Sequence, residues 1–159
     1  MAKLEALFEI EELPLNMPDV WQRVDDLLME REEVSLFLFG LAGPLLALRL
    51  RDFITASQMM PYFHSELYKQ LDVSIADHIM LEKLLGLSSG RDEARIAYSY
   101  DRQDAVNRVL DQEYQLALLL RPIKLEMVKA IADTGDRLPR KSTYFYPKLP
   151  AGLVFYRLV

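Results

Sequence analysis

The chain has 159 residues, 51% of them hydrophobic and 27% charged, a balance that suits one well-packed domain and excludes a disordered chain. With no cysteine, disulfides, thiolate–metal sites and cysteine nucleophiles are excluded. The net charge is −5, but residues 137–159 hold five basic side chains and no acid, which leaves 14 basic against 24 acidic groups, or −10, in residues 1–136.

From the N-terminus, Leu4 to Leu13 alternates apolar and acidic residues as a half-buried strand does, and Pro14 ends it. Asn16 to Pro18 reads as a helix start with Asp19 in the first turn, followed by Val20, Val24, Leu27 and Leu28 as one buried stripe. The stretch Glu30 to Glu33 reads as a solvated helix end. Val34 to Phe39 is apolar on both faces and predicts a buried strand. Gly40 to Pro44 makes the turn, and Leu46, Leu48 and Leu50 return antiparallel against the wetter Ala47, Arg49 and Arg51.

A polar connection through Met59-Met60-Pro61 leads to a short helix, Ser65 to Leu71, and a longer one, Ser74 to Leu85. Ser74 to Asp77 resembles a capping box and Gly86 ends the helix. Residues 87–93, with Ser88-Ser89-Gly90-Arg91, form the most loop-like run and the candidate flexible site. Arg95 to Tyr100 predicts a strand. Asp101 caps a helix carrying Ala105, Val106, Val109 and Leu110, Tyr114 to Leu120 is a strand stopped by Pro122, and Leu125 to Ala132 is a helix ended by Gly135. Ser142 to Tyr146 and Leu153 to Leu158 close the chain as a β-hairpin. The fold class is therefore α+β, a single domain with a mostly antiparallel sheet, helices packed on it and a C-terminal hairpin. No secretory signal opens the chain, and no apolar run approaches the ~20 residues of a membrane span. The sequence reads as soluble and cytoplasmic, without a membrane partner.

The basic tail carries the candidate ligand site. Arg140, Lys141, Ser142 and Thr143 place two cations and two hydroxyls beside backbone N–H groups, a set suited to phosphate or carboxylate. It is not a P-loop, since Pro139-Arg140 stand where that motif needs glycines. The alternative is a solvated strand entrance whose Ser and Thr satisfy local backbone. On a strand, Tyr144 and Tyr146 share a face, either stacking on a ligand ring or packing on the sheet, and Lys148 adds a further cation.

His78 and Glu82, at i and i+4, share one helix side. That spacing suits acid–base work, or two metal ligands completed by His64 or a distant carboxylate. The alternative is a hydrogen-bonded histidine on a packed helix. With two histidines and no HExxH, neither a metal site nor a cofactor is read from the sequence. His64, ahead of Ser65-Glu66, reads as a polar cap rather than an anion site. Asp101 and Asp104 read as capping groups.

KSTYFYPK followed by GLVFYRL resembles the closing signature of the bacterial and archaeal family known as domain of unknown function 1015. Its members end on Met-Pro, Lys-Ser-Thr-Tyr-Phe, Pro-Lys and a Gly-Leu-Val strand. Leu138 here replaces the methionine, and Asp77-His78 matches the family's apolar-His pair at the histidine only. The match extends more weakly from about residue 65 to the end. Family proteins are longer, so the resemblance implies a C-terminal portion, and it implies no activity. Three functions follow as expectations. The first is binding of a small anionic molecule, as half of a site completed by an N-terminal partner domain. The second is an interaction or homodimerisation module. The third is nucleic-acid binding, which the −10 body opposes.

Overall fold

The computed structural model describes residues 1–29, 35–88 and 90–143. Helix α1 (Ala2–Leu7) runs into strand β1 (Phe8–Leu13), and α2 (Val20–Met29) leads to the hairpin of β2 (Ser35–Phe39) and β3 (Leu45–Leu50). Three short helices follow, α3 (Phe53–Gln58), α4 (Glu66–Lys69) and α5 (Asp72–Ser74), the last widening into a π-helix, Ile75–Leu84. A single 3₁₀ turn (Glu93–Arg95), α6 (Arg102–Leu110), β4 (Ala117–Leu120) and α7 (Leu125–Asp133) complete the order. The sheet runs β1-β3-β2-β4 and every pairing is antiparallel, which makes the protein α+β.

Period-two alternation divides the core between the two sheet faces. Leu36 and Leu38 of β2 and Leu46 and Leu48 of β3 join Phe8, Ala56, Ile75 and Ile79 on one face. Phe37, Phe39 and Leu45 join Val24, Leu27, Leu28 and Val106 on the other. Both faces carry helices, so β2 is buried at every position, and each fully buried Leu or Phe contributes about 1.5–3 kcal/mol. The α2 stripe is as expected. No helix among the described residues is long and apolar enough to cross a membrane.

Several elements differ from the sequence reading. The first strand begins at Phe8, because AKLEAL is made of strong helix formers and closes onto the Met1 carbonyl through the Leu4 and Glu5 N–H groups. Asp19 lies ahead of α2 with φ +58°, outside the first turn. The connection before Met59 holds α3, capped by Asp52, which accepts from Ile54 N–H at 2.9 Å. Ser74 is no N-cap. The helix starts at Asp72, and the Ser74 hydroxyl is buried beside Tyr68 without a hydrogen bond of ordinary geometry. The 96–100 segment pairs with no strand among the described residues, its side chains staying largely at the surface. Leu110 is exposed rather than part of the α6 stripe. Asp101 does cap α6, accepting from Gln103 and Asp104 N–H. The proposed terminal hairpin lies outside the described residues, apart from Ser142 and Thr143, which are not in a strand.

One buried ion pair ties the layers together. Arg121, just past β4, grips Asp72 at the head of α5 through two bonds of 2.7 and 3.0 Å, while the Ser35 N–H at the start of β2 donates to the same carboxylate. Burial pushes the Asp72 carboxyl up from its ordinary value, and the Arg121 bonds and charge pull it back.

Candidate functional site

The densest polar chemistry lies away from the sheet, where α4, the π-helix and the segment after α7 meet. Ser65 caps α4 by accepting from Tyr68 N–H at 3.2 Å. His64, one residue before that cap, lies flat on the Tyr68 ring, with centroids 3.7 Å apart and planes 5° apart. The π-helix brings His78 to the same tyrosine: Tyr68 Oη and His78 Nε2 are 3.0 Å apart, and His78 Nδ1 is 3.0 Å from Glu82 Oε2. The i, i+4 pairing expected of His78 and Glu82 is thus present. Gly135 then turns the chain at φ +76°, so that Asp136 reaches back to His64 Nδ1 at 3.0 Å and accepts from Ser65 N–H at 2.8 Å. His64 is the partner of Asp136 rather than a helix cap.

Electrostatics set the charge of Tyr68 and Asp136. Burial, with the charges of Asp77, Asp136 and Glu82, pushes the Tyr68 phenol up to about 12, against the opposing Ser74 hydroxyl. The phenol therefore stays protonated beside His78 Nε2, while His78 Nδ1 faces Glu82. Burial works against ionisation of Asp136. The Ser65 N–H, His64 and Arg137 N–H bonds outweigh it and hold the carboxyl at about 2, below its ordinary 3.8. Asp136 therefore stabilises the fold above pH 4, and that contribution is lost as pH falls through about 2. Allowing for screening near the surface, Asp136→Asn costs roughly 1–2 kcal/mol at neutral pH. Melting curves of wild type and variant should converge as pH is taken down to about 2, and a constant gap would show that ionisation is not its source.

The tail residues are placed only in part. Arg140 is committed to Glu93 through contacts of 2.9 and 3.3 Å. The Ser142 hydroxyl donates to the Pro139 carbonyl at 2.5 Å, the local use that the strand-entrance alternative assigns to it. Lys141 takes the left-handed conformation at φ +59°. Neither Lys141 nor Arg137 has an acidic partner among the described residues, and Thr143 is exposed. Tyr144, Tyr146 and Lys148 lie outside the described residues. Tyr68 and Asp136 are the site residues that sequence reasoning missed. The spacing of His64 and Tyr68, four apart, was the one available signal.

His78 has both ring nitrogens engaged, and among the described residues no three His, Asp or Glu side chains converge to hold a metal. One cleft opens beside Glu9, Leu27 and Arg49, and another among Trp21, Asp25, Tyr100 and Arg102, where Arg102 pairs with Asp25. Neither cleft is lined by the histidines. No protein-family model, no curated protein and no solved structure matches the chain.

Proposed function

We propose that the chain binds a small anionic molecule, bearing phosphate or carboxylate, through the basic segment 136–143, which begins at the Asp136–His64 contact. One observation carries this reading. His64, with its Nε2 unpartnered among the described residues, is fixed by Asp136, the first residue of a segment whose Arg137 and Lys141 also lack an acidic partner there. Arg137 and Lys141 are the primary cations, and Arg140 joins them by exchanging Glu93 for the ligand. The same segment begins the stretch that resembles domain of unknown function 1015, and membership in that family is part of the proposal. Inorganic phosphate, acetate and a sugar phosphate, titrated at low ionic strength, should raise the melting temperature of the chain. At a hundredfold excess over Kd the gain is about 2.7 kcal/mol. The Arg137→Ala/Lys141→Ala variant should fold and lose the rise; if it keeps the full rise, the assignment of the site is wrong. A second reading, as an interaction surface between copies, draws on Tyr62 and Phe63, which are 93% and 69% exposed next to His64. Concentration-dependent dimerisation without any anion-induced rise would favour it.

A further inference from the structure

The contacts around His64 restrict it to one orientation. Its Nδ1 is on Asp136, whose carboxylate is held in turn by the Ser65 and Arg137 N–H groups. Its ring lies on Tyr68, and Tyr68 is pinned through its hydroxyl to His78 and onward to Glu82. A half-turn of the imidazole would break the carboxylate bond, and a smaller turn would break the stack. With Nδ1 on Asp136, Nε2 is the ring nitrogen left without a partner among the described residues, on a side chain that keeps 15% exposure. Beyond the stability this contact gives the fold, it leaves one ring nitrogen open to a ligand.

Resting on the anion-binding reading, we infer that His64 is a catalytic general base on a small anionic molecule that carries a hydroxyl, with Asp136 and Tyr68 as positioning residues. The ligand's O–H bond breaks, its electron pair stays on oxygen, and the proton forms a new N–H bond at Nε2. The resulting imidazolium is balanced by the Asp136 carboxylate until the proton is returned. Among charged and titratable neighbours, His64 meets Asp136 at Nδ1, Tyr68 across its face and His78 at 5.7 Å between rings.

Diethyl pyrocarbonate tests the base without knowledge of the substrate. The unprotonated imidazole nitrogen attacks its carbonyl, and an ethyl carbonate half leaves as carbon dioxide and ethanol. In the native chain near neutral pH, His64 should be carbethoxylated about tenfold faster than N-acetylhistidine, and Asp136→Asn should slow it roughly tenfold. His78, with both nitrogens occupied, should resist. A His64 rate at or below that of N-acetylhistidine overturns the inference, and that comparison holds whether or not the variant folds. Inorganic phosphate should slow the reaction over the concentrations that raise the melting temperature. A phosphate-induced rise with no protection of His64 leaves the anion site standing and removes His64 from it. Fast, Asp136-dependent reaction with no anion-induced rise leaves the base standing and sinks the anion reading.

Discussion

Arg121→Met lowers stability by about 3–5 kcal/mol at pH 7, the usual cost of stranding one member of a buried ion pair. Asp72 keeps only 4% of its side-chain surface. Without the guanidinium it retains the Ser35 N–H at 3.3 Å as its remaining hydrogen bond among those described. Methionine keeps most of the apolar stem, so the loss measures charge and hydrogen bonding rather than volume. The pH dependence has a definite sign. The Asp72 carboxyl is already raised in the folded chain by burial. Removing Arg121 raises it further, so the folded variant takes up a proton more readily than the unfolded chain does. Its deficit is therefore greatest above that raised value and shrinks as pH falls toward the unfolded value of 3.8. Urea unfolding at pH 7 and in mild acid checks this. Equal deficits at both would mean the damage is steric and the electrostatic account is wrong.

Gly40→Ala costs about 3 kcal/mol. Gly40 opens the β2–β3 turn at φ +104°, a conformation that strains an L side chain. A Cβ there would stand 2.2 Å from the Gln115 carbonyl oxygen and 3.0 Å from Val109 Cγ1. The oxygen belongs to backbone just before β4, so no rotamer change relieves the overlap; β4 or the turn must move. Gly43, in the same turn, has nothing within 4 Å of its Cβ position. Gly43→Ala should stay within about 0.5 kcal/mol of wild type. Equal denaturation midpoints for the two variants would show that the turn yields freely.

The architecture was legible where one physical rule acts over a few residues. Alternation in Leu46, Leu48 and Leu50, apolar character on both faces of β2 and the Asp101 cap all act locally, and all are present. The boundaries failed where two rules overlap. FEIEEL imposes period two from Phe8, and carrying it back to Leu4 overrode the helix propensity of AKLEAL. The helix read from Ser74 is mostly a π-helix. Because apolar residues lie nearly all round it, they mark no single face from which its wider turn could be read. At the site, the His78–Glu82 contact was legible because neighbours at i, i+4 meet on any helix face. Tyr68 meets His78 from a separate helix, and Asp136 meets His64 across most of α4 to α7. No spacing rule reaches that far.

The strand order also sets the sequence of events by which the chain finds this shape. β2 and β3 close through five residues, Gly40 to Pro44, and can zip within microseconds. β4 must instead return to β2 so that Leu36 meets Leu120, after α3, α4, the π-helix and α6 have been threaded between them. Loop-closure entropy makes that docking a late step. Before it, Asp72 has no Arg121 and the polar cluster has no anchor from α7. The nascent hairpin then exposes the Leu36–Phe39 edge as an open template for a second chain. Refolding yield should therefore fall with protein concentration, and lengthening the 111–116 connection should worsen it without changing the strength of the finished fold.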